Sequence, residues 1–150
     1  MDNDTQIFNR LARNVRILSS LIAKVKHQLF TDNSSSRILN QIKHSFHNSA
    51  ALTFYTDGSL HNLGSSDAIM GIGWIQSDPV SSGCSFSAWV TQWPSSTRAE
   101  TMAILTAIYT CPPECIVMIN TDSQCCIDTY RHFMSPFTTS RRKEKIINWS

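Results

Sequence analysis

The chain has 150 residues, 41% of them hydrophobic, with a formal net charge of +2. That is enough apolar side chain for one core and more than a disordered chain carries. Its first residues are polar, no apolar run approaches the ~20 residues of a membrane span, and its five cysteines form no CxxC pair; these features argue against a secretory leader and a membrane protein, and an intracellular setting, nucleus or cytoplasm, is expected.

Charge is unevenly placed. Residues 1–50 carry seven Lys/Arg against three Asp/Glu, residues 51–135 two against seven, and residues 136–150 four against one. An acidic middle between basic ends suits a metal-binding centre flanked by phosphate-attracting surface; chance and solvated helix faces explain it equally well.

In chain order, residues 4–30 are expected to be helical, because Ile7, Leu11, Val15, Leu18, Leu21, Ile22, Val25 and Leu29 step by three or four into one apolar stripe. Its basic residues would suit a membrane surface, a calmodulin-like groove or nucleic acid; packing on the following domain or on a partner helix is the simpler use. Thr31 to Ser36 is a polar break, and Ile38, Leu39, Ile42 and Phe46 predict a second short helix. The division expected is a helical N-terminal extension, 1–50, and a second domain, 51–150.

From residue 51 the period changes to two. Leu52 to Asp57 predicts a strand that delivers its acid at a turn beginning with Gly58-Ser59. Ala68 to Gln76 and Cys84 to Val90 predict two more strands, giving an antiparallel meander. Gly71 and Gly73 mark either a close backbone approach or a bulge. A helix follows Thr97 until Pro112-Pro113. Cys115 to Asn120 is nearly all apolar and predicts a central strand covered on both faces. A helix from Ser123 to about Met134 and a further one from Thr138 complete the pattern.

Each of three acids has an ordinary explanation: Asp57 as a turn aspartate, Glu100 as the far end of a Thr97-x-x-Glu100 capping box, and Asp122 as a cap beside Thr121-x-x-Gln124. Their joint placement suggests more. If the first and fourth strands of the second domain are parallel neighbours, both aspartates emerge at one sheet edge and Glu100 looks down from the covering helix. Crowded carboxylates resist ionising unless a divalent cation neutralises them. All-oxygen ligands favour Mg²⁺ or Mn²⁺, which support hydrolysis of phosphodiesters through paired ions. Cys111, Cys115, Cys125 and Cys126 lack the spacing of common zinc sites and read as small apolar residues.

The ordered set Thr56-Asp-Gly-Ser59, Ser95-Ser-Thr-Arg-Ala-Glu100 and Thr121-Asp-Ser-Gln124 resembles the type 1 ribonuclease H family, over about residues 51–150. The resemblance implies an α/β (α+β) fold with a mixed sheet of three antiparallel strands plus a parallel fourth, flanked by helices. It implies two-metal cleavage of the RNA strand of RNA–DNA hybrids, with Asp57, Glu100 and Asp122 as metal ligands and catalytic acids. It also implies nucleic-acid contacts from Gly58, Ser59 and Gln124, with Ser96 and Thr97 standing where several members carry asparagines. The family's fifth strand, histidine loop and helix with a fourth carboxylate have no counterpart before Ser150. The expectation is therefore an incomplete domain whose fourth strand has lost a neighbour, either still a nuclease or a non-catalytic nucleic-acid-binding remnant, of mobile-element origin in one reading. An integrase or transposase is disfavoured because glutamate comes second, not last.

Overall fold

The computed structural model describes residues 5–9, 33–77, 83–137 and 139, with residues 5–9 described as backbone only. Its elements are β1 (Thr5–Asn9), α1 (Asn33–Ser45), β2 (Ala51–His61), β3 (Ile69–Gln76), β4 (Ser85–Val90), α2 (Ser96–Thr110), β5 (Ile116–Thr121) and α3 (Gln124–Met134). The strands form one mixed sheet in the order β1-β5-β2-β3-β4. β2, β3 and β4 are the expected antiparallel meander, and β5 runs parallel to β2. The fold is thus α+β, with one parallel pair in the sheet and three helices among the described residues.

Three expectations about the strands change. Thr5–Asn9 is a strand, not the start of a helix, and pairs antiparallel with β5 from Thr5↔Asn120 to Asn9↔Ile116. The free edge expected beside β5 is therefore occupied. The rest of the helix expected over residues 4–30, residues 78–82 and, Thr139 apart, the helix expected from Thr138 lie outside the described residues. Second, β2 does not end at Asp57: it continues through Gly58 and Ser59 to His61, all paired with β3, and the chain turns only at Asn62, which has φ 55°. Third, β5 is not buried on both faces. Val117, Ile119 and Thr121 are buried while Ile116 is exposed and Met118 and Asn120 are half-buried, so an apolar run here marks composition rather than two-sided cover.

The core lies between one sheet face and the helices. Leu52, Phe54 and Thr56 on β2, Met70, Ile72 and Trp74 on β3, and Phe86 and Val90 on β4 alternate inward. α2 crosses this face and is buried almost all round, from Met102 to Ile108, because it meets β2 and β3 below and α1 and α3 beside it. Ser95 caps its start by accepting a hydrogen bond from the Arg98 amide. Cys111, extended at φ −77° and ψ 141° ahead of Pro112, ends it.

α1 is not an appendage to that core. Leu39, Ile42 and Phe46 are buried in it, and Phe46 meets Phe54 edge-on with ring centroids 6.2 Å apart. Phe54 in turn meets Trp74 at 5.1 Å, whose indole N–H donates to the Thr106 hydroxyl at 3.2 Å. Packing thus crosses the boundary expected near residue 50. On α3, Ile127 is buried, Tyr130 and Phe133 are half-buried and Met134 is exposed. No described helix is long and apolar enough to cross a membrane.

Candidate metal centre

The parallel pairing of β2 and β5 sets two of the three acids. Its last register pair is Thr56↔Thr121, so Asp57 and Asp122 follow side by side on neighbouring strands, whose spacing is about 4.8 Å. Two cross-strand bonds fix the register just before them: the Asn120 side-chain amide donates to the Phe54 carbonyl at 3.2 Å, and the Thr56 hydroxyl reaches the Asn120 carbonyl at 3.5 Å.

The third acid comes from α2, and Gly58 is what lets it approach. A Cβ at position 58 would collide with backbone atoms of Ala99 and Glu100. The first turns of the helix therefore rest directly on the strand, one residue after Asp57. The Gly58 amide also donates to the Glu100 carboxylate. Glycine here serves close packing, not the turn that the sequence suggested.

Asp57, Glu100 and Asp122 converge: one carboxylate oxygen from each lies within 4.8 Å of the others. The two aspartates are exposed and Glu100 is half-buried. Burial first, then the nearby Asp122 and Asp57, push the Glu100 carboxyl up to about 7, with the Gly58 amide acting in the opposite sense. One Glu100 oxygen, Oε2, is buried and has no hydrogen-bond partner. An orphaned buried oxygen within a knot of like charges is the kind of site a cation satisfies. Among the described residues this is the one cluster of three or more His, Cys, Asp or Glu groups able to hold a metal ion, and its donors are all oxygen.

None of the ordinary roles open to these acids is taken up. Asp57 lies inside a strand, opposite Gly73. α2 is capped by Ser95, so Thr97 and Glu100 form no capping box, and α3 is capped by Ser123, which accepts from the Cys126 amide at 3.4 Å.

The expected substrate contacts divide. Gly58 and Ser59 lie on β2 directly after Asp57, and Ser96 and Thr97 are exposed in the first turn of α2. Thr97 donates to the Cys125 thiol at 3.8 Å, a link between α2 and α3. Gln124 is exposed and its side-chain amide donates to Asp128 at 2.8 Å, while Asp128 also pairs with Arg131 at 3.9 Å. Asp128 thus belongs to a surface network on α3 and not to the acid cluster.

Arg98 is a feature the sequence left open. Its guanidinium lies over the Trp93 ring, 5.7 Å from the centroid, a cation–π arrangement. Trp93 is 76% exposed and sits at φ 48°, unusual for a bulky residue. Exposed aromatics on this side were not foreseen, although four tryptophans in 150 residues were the available signal. Comparisons with models of protein families, with curated proteins and with solved structures returned no match.

Proposed function

We propose that the chain is a divalent-metal-dependent nuclease that hydrolyses the RNA strand of RNA–DNA hybrids, as its resemblance to type 1 ribonuclease H implies. The observation that carries this reading is the meeting of Asp57, Glu100 and Asp122 within 4.8 Å, with a buried, unpartnered Glu100 oxygen. The mixed sheet, with β2 and β5 parallel and α2 lying across them, supports it at the level of layout.

The three carboxylates would hold Mg²⁺ or Mn²⁺, hard cations suited to oxygen donors. Bound there, such ions supply an activated water and neutralise charge on the phosphate under attack. The chain's own contributions are positional. Asp57 lies on the central strand of the sheet with its side chain exposed, where it would be one of the carboxylates that hold the cation. The Gly58 amide lies where it favours the ionised Glu100 carboxylate. Ser59 offers a hydroxyl two residues beyond Asp57. Gln124 would reach the minor groove, where 2′-hydroxyls distinguish RNA from DNA, after leaving Asp128.

A second reading, binding without cleavage, is favoured by one observation: three acids, not four, form the cluster among the described residues. One assay separates the two. The full chain, given a labelled hybrid with Mg²⁺ or Mn²⁺, should cut the RNA strand, and Asp57→Asn should lower the rate by at least about 100-fold, the scale on which catalytic groups act. Equal cutting by Asp57→Asn rejects the site. Tight hybrid binding with no cutting at any metal concentration selects the binding reading.

A further inference from the structure

The sheet face opposite the core carries an aromatic surface that the acid cluster does not use. Cross-strand register places Ser59, Gly71 and Trp89 in one row over β2, β3 and β4, next to the row of Asp57, Gly73 and Ser87. The two rows differ by two residues, about 7 Å along the strands, and Trp89 stands two strand spacings, about 10 Å, from β2. Trp89 is 64% exposed.

Its environment fixes it. A Cβ on Gly71 would lie 2.5 Å from the Ser59 hydroxyl oxygen and 3.3 Å from Cζ3 of the Trp89 ring. The missing side chain therefore lets the indole lie down over β3 toward β2. The His61 ring meets it at 64°, with centroids 5.4 Å apart. His61 Nε2 is in turn 3.2 Å from the Ser59 hydroxyl. One side of the indole rests on the strand, the His61 ring packs against it, and most of the residue is open to solvent. Such a surface is ordered before it binds anything, so little entropy is lost on contact.

From this arrangement, and resting on the nuclease reading above, we propose that Trp89, seated on Gly71 and braced by His61, stacks one unpaired base of the nucleic acid strand that enters the acid cluster. Base–aromatic stacking is tolerant of sequence because every base has a π-face. It requires a free face, and bases inside a duplex already stack on their neighbours. The platform therefore selects a hybrid that gives way to a single strand beside the cut, over a blunt, continuous duplex.

The test uses the full chain carrying Asp57→Asn, so that bound substrate stays intact. Its affinity is measured for a blunt RNA–DNA hybrid and for the same hybrid extended by a single strand, RNA or DNA, at the 5′ or 3′ end. At least one overhang should bind about 10-fold more tightly than the blunt form, within the range that stacking of one base produces. Adding Trp89→Ala should abolish that preference and leave blunt-hybrid affinity unchanged, whereas Trp89→Phe should keep most of it. Equal binding of blunt and extended hybrids, or a preference that survives Trp89→Ala, overturns the proposal. Cleavage of blunt hybrid by the unmodified chain without any overhang preference removes this inference and leaves the nuclease reading standing; no binding and no cleavage of any hybrid removes both.

Discussion

Glu100 shows how one side chain can oppose stability in order to form a site. Its carboxyl, normally near 4.5, is pushed up to about 7 by burial and by two neighbouring aspartates. Between those values the unfolded chain has released the proton and the folded chain still holds it. Stability therefore declines as pH rises through that window, and changes little on this account below or above it. The metal-free protein, kept in chelator, should resist urea better near pH 5 than near pH 7.5, and Glu100→Gln should flatten that difference because an amide does not titrate. An unchanged slope in Glu100→Gln would show that other groups set the pH dependence. Mn²⁺ should act in the opposite direction, adding stability most at the higher pH, where the carboxylates are ionised and protons no longer compete.

At the scale of elements, helix caps separate what a sequence shows from what only packing decides. Ser95, Ser96 and Thr97 are all capable caps, and the spacing of Thr97 to Glu100 favoured Thr97. The structure uses Ser95, so Glu100 falls in the second turn of α2, over Gly58, free of any capping duty. Ser95→Ala should then lower the stability of the whole protein by about 1 kcal/mol, while Thr97→Ala, an exposed residue past the cap, should change it by less than about 0.5 kcal/mol. Equal losses would mean that the helix start is shared. The same limit accounts for the other differences. Alternation identified the meander and its inward residues, because a half-covered sheet imposes period two. It could not say that β2 runs on to His61, since Asp-Gly-Ser is turn chemistry unless a helix demands the glycine, nor that the apolar run of β5 leaves Ile116 exposed. The three acids were legible by chemical type and by order along the chain. Their convergence was a consequence of the Thr56↔Thr121 register, which no local signal carries.

Across the whole molecule, packing crosses the division expected at residue 50. Leu39 is fully buried, Phe46 touches Phe54, and Phe54 touches Trp74, so a side chain of α1 reaches β3 through two aromatic contacts. The sequence pointed to a boundary because periodicity changes from helical to strand-like there, and a change of period records a change of element, not of core. Shared burial makes α1 part of one cooperative unit with the sheet that carries Asp57. Truncating Leu39 to alanine should leave a cavity and lower global stability by about 2–5 kcal/mol. The decisive feature is the shape of the transition: helix content by circular dichroism and the fluorescence of buried Trp74, read with Trp89, Trp93 and Trp149 replaced by phenylalanine, should shift together and remain coincident. Two separated transitions, with α1 melting first and Trp74 unaffected, would restore the extension-plus-domain arrangement. They would also imply that the acid cluster can be held by residues 51–137 alone, whereas after a single transition any cation held at Asp57 would stabilise α1 as well.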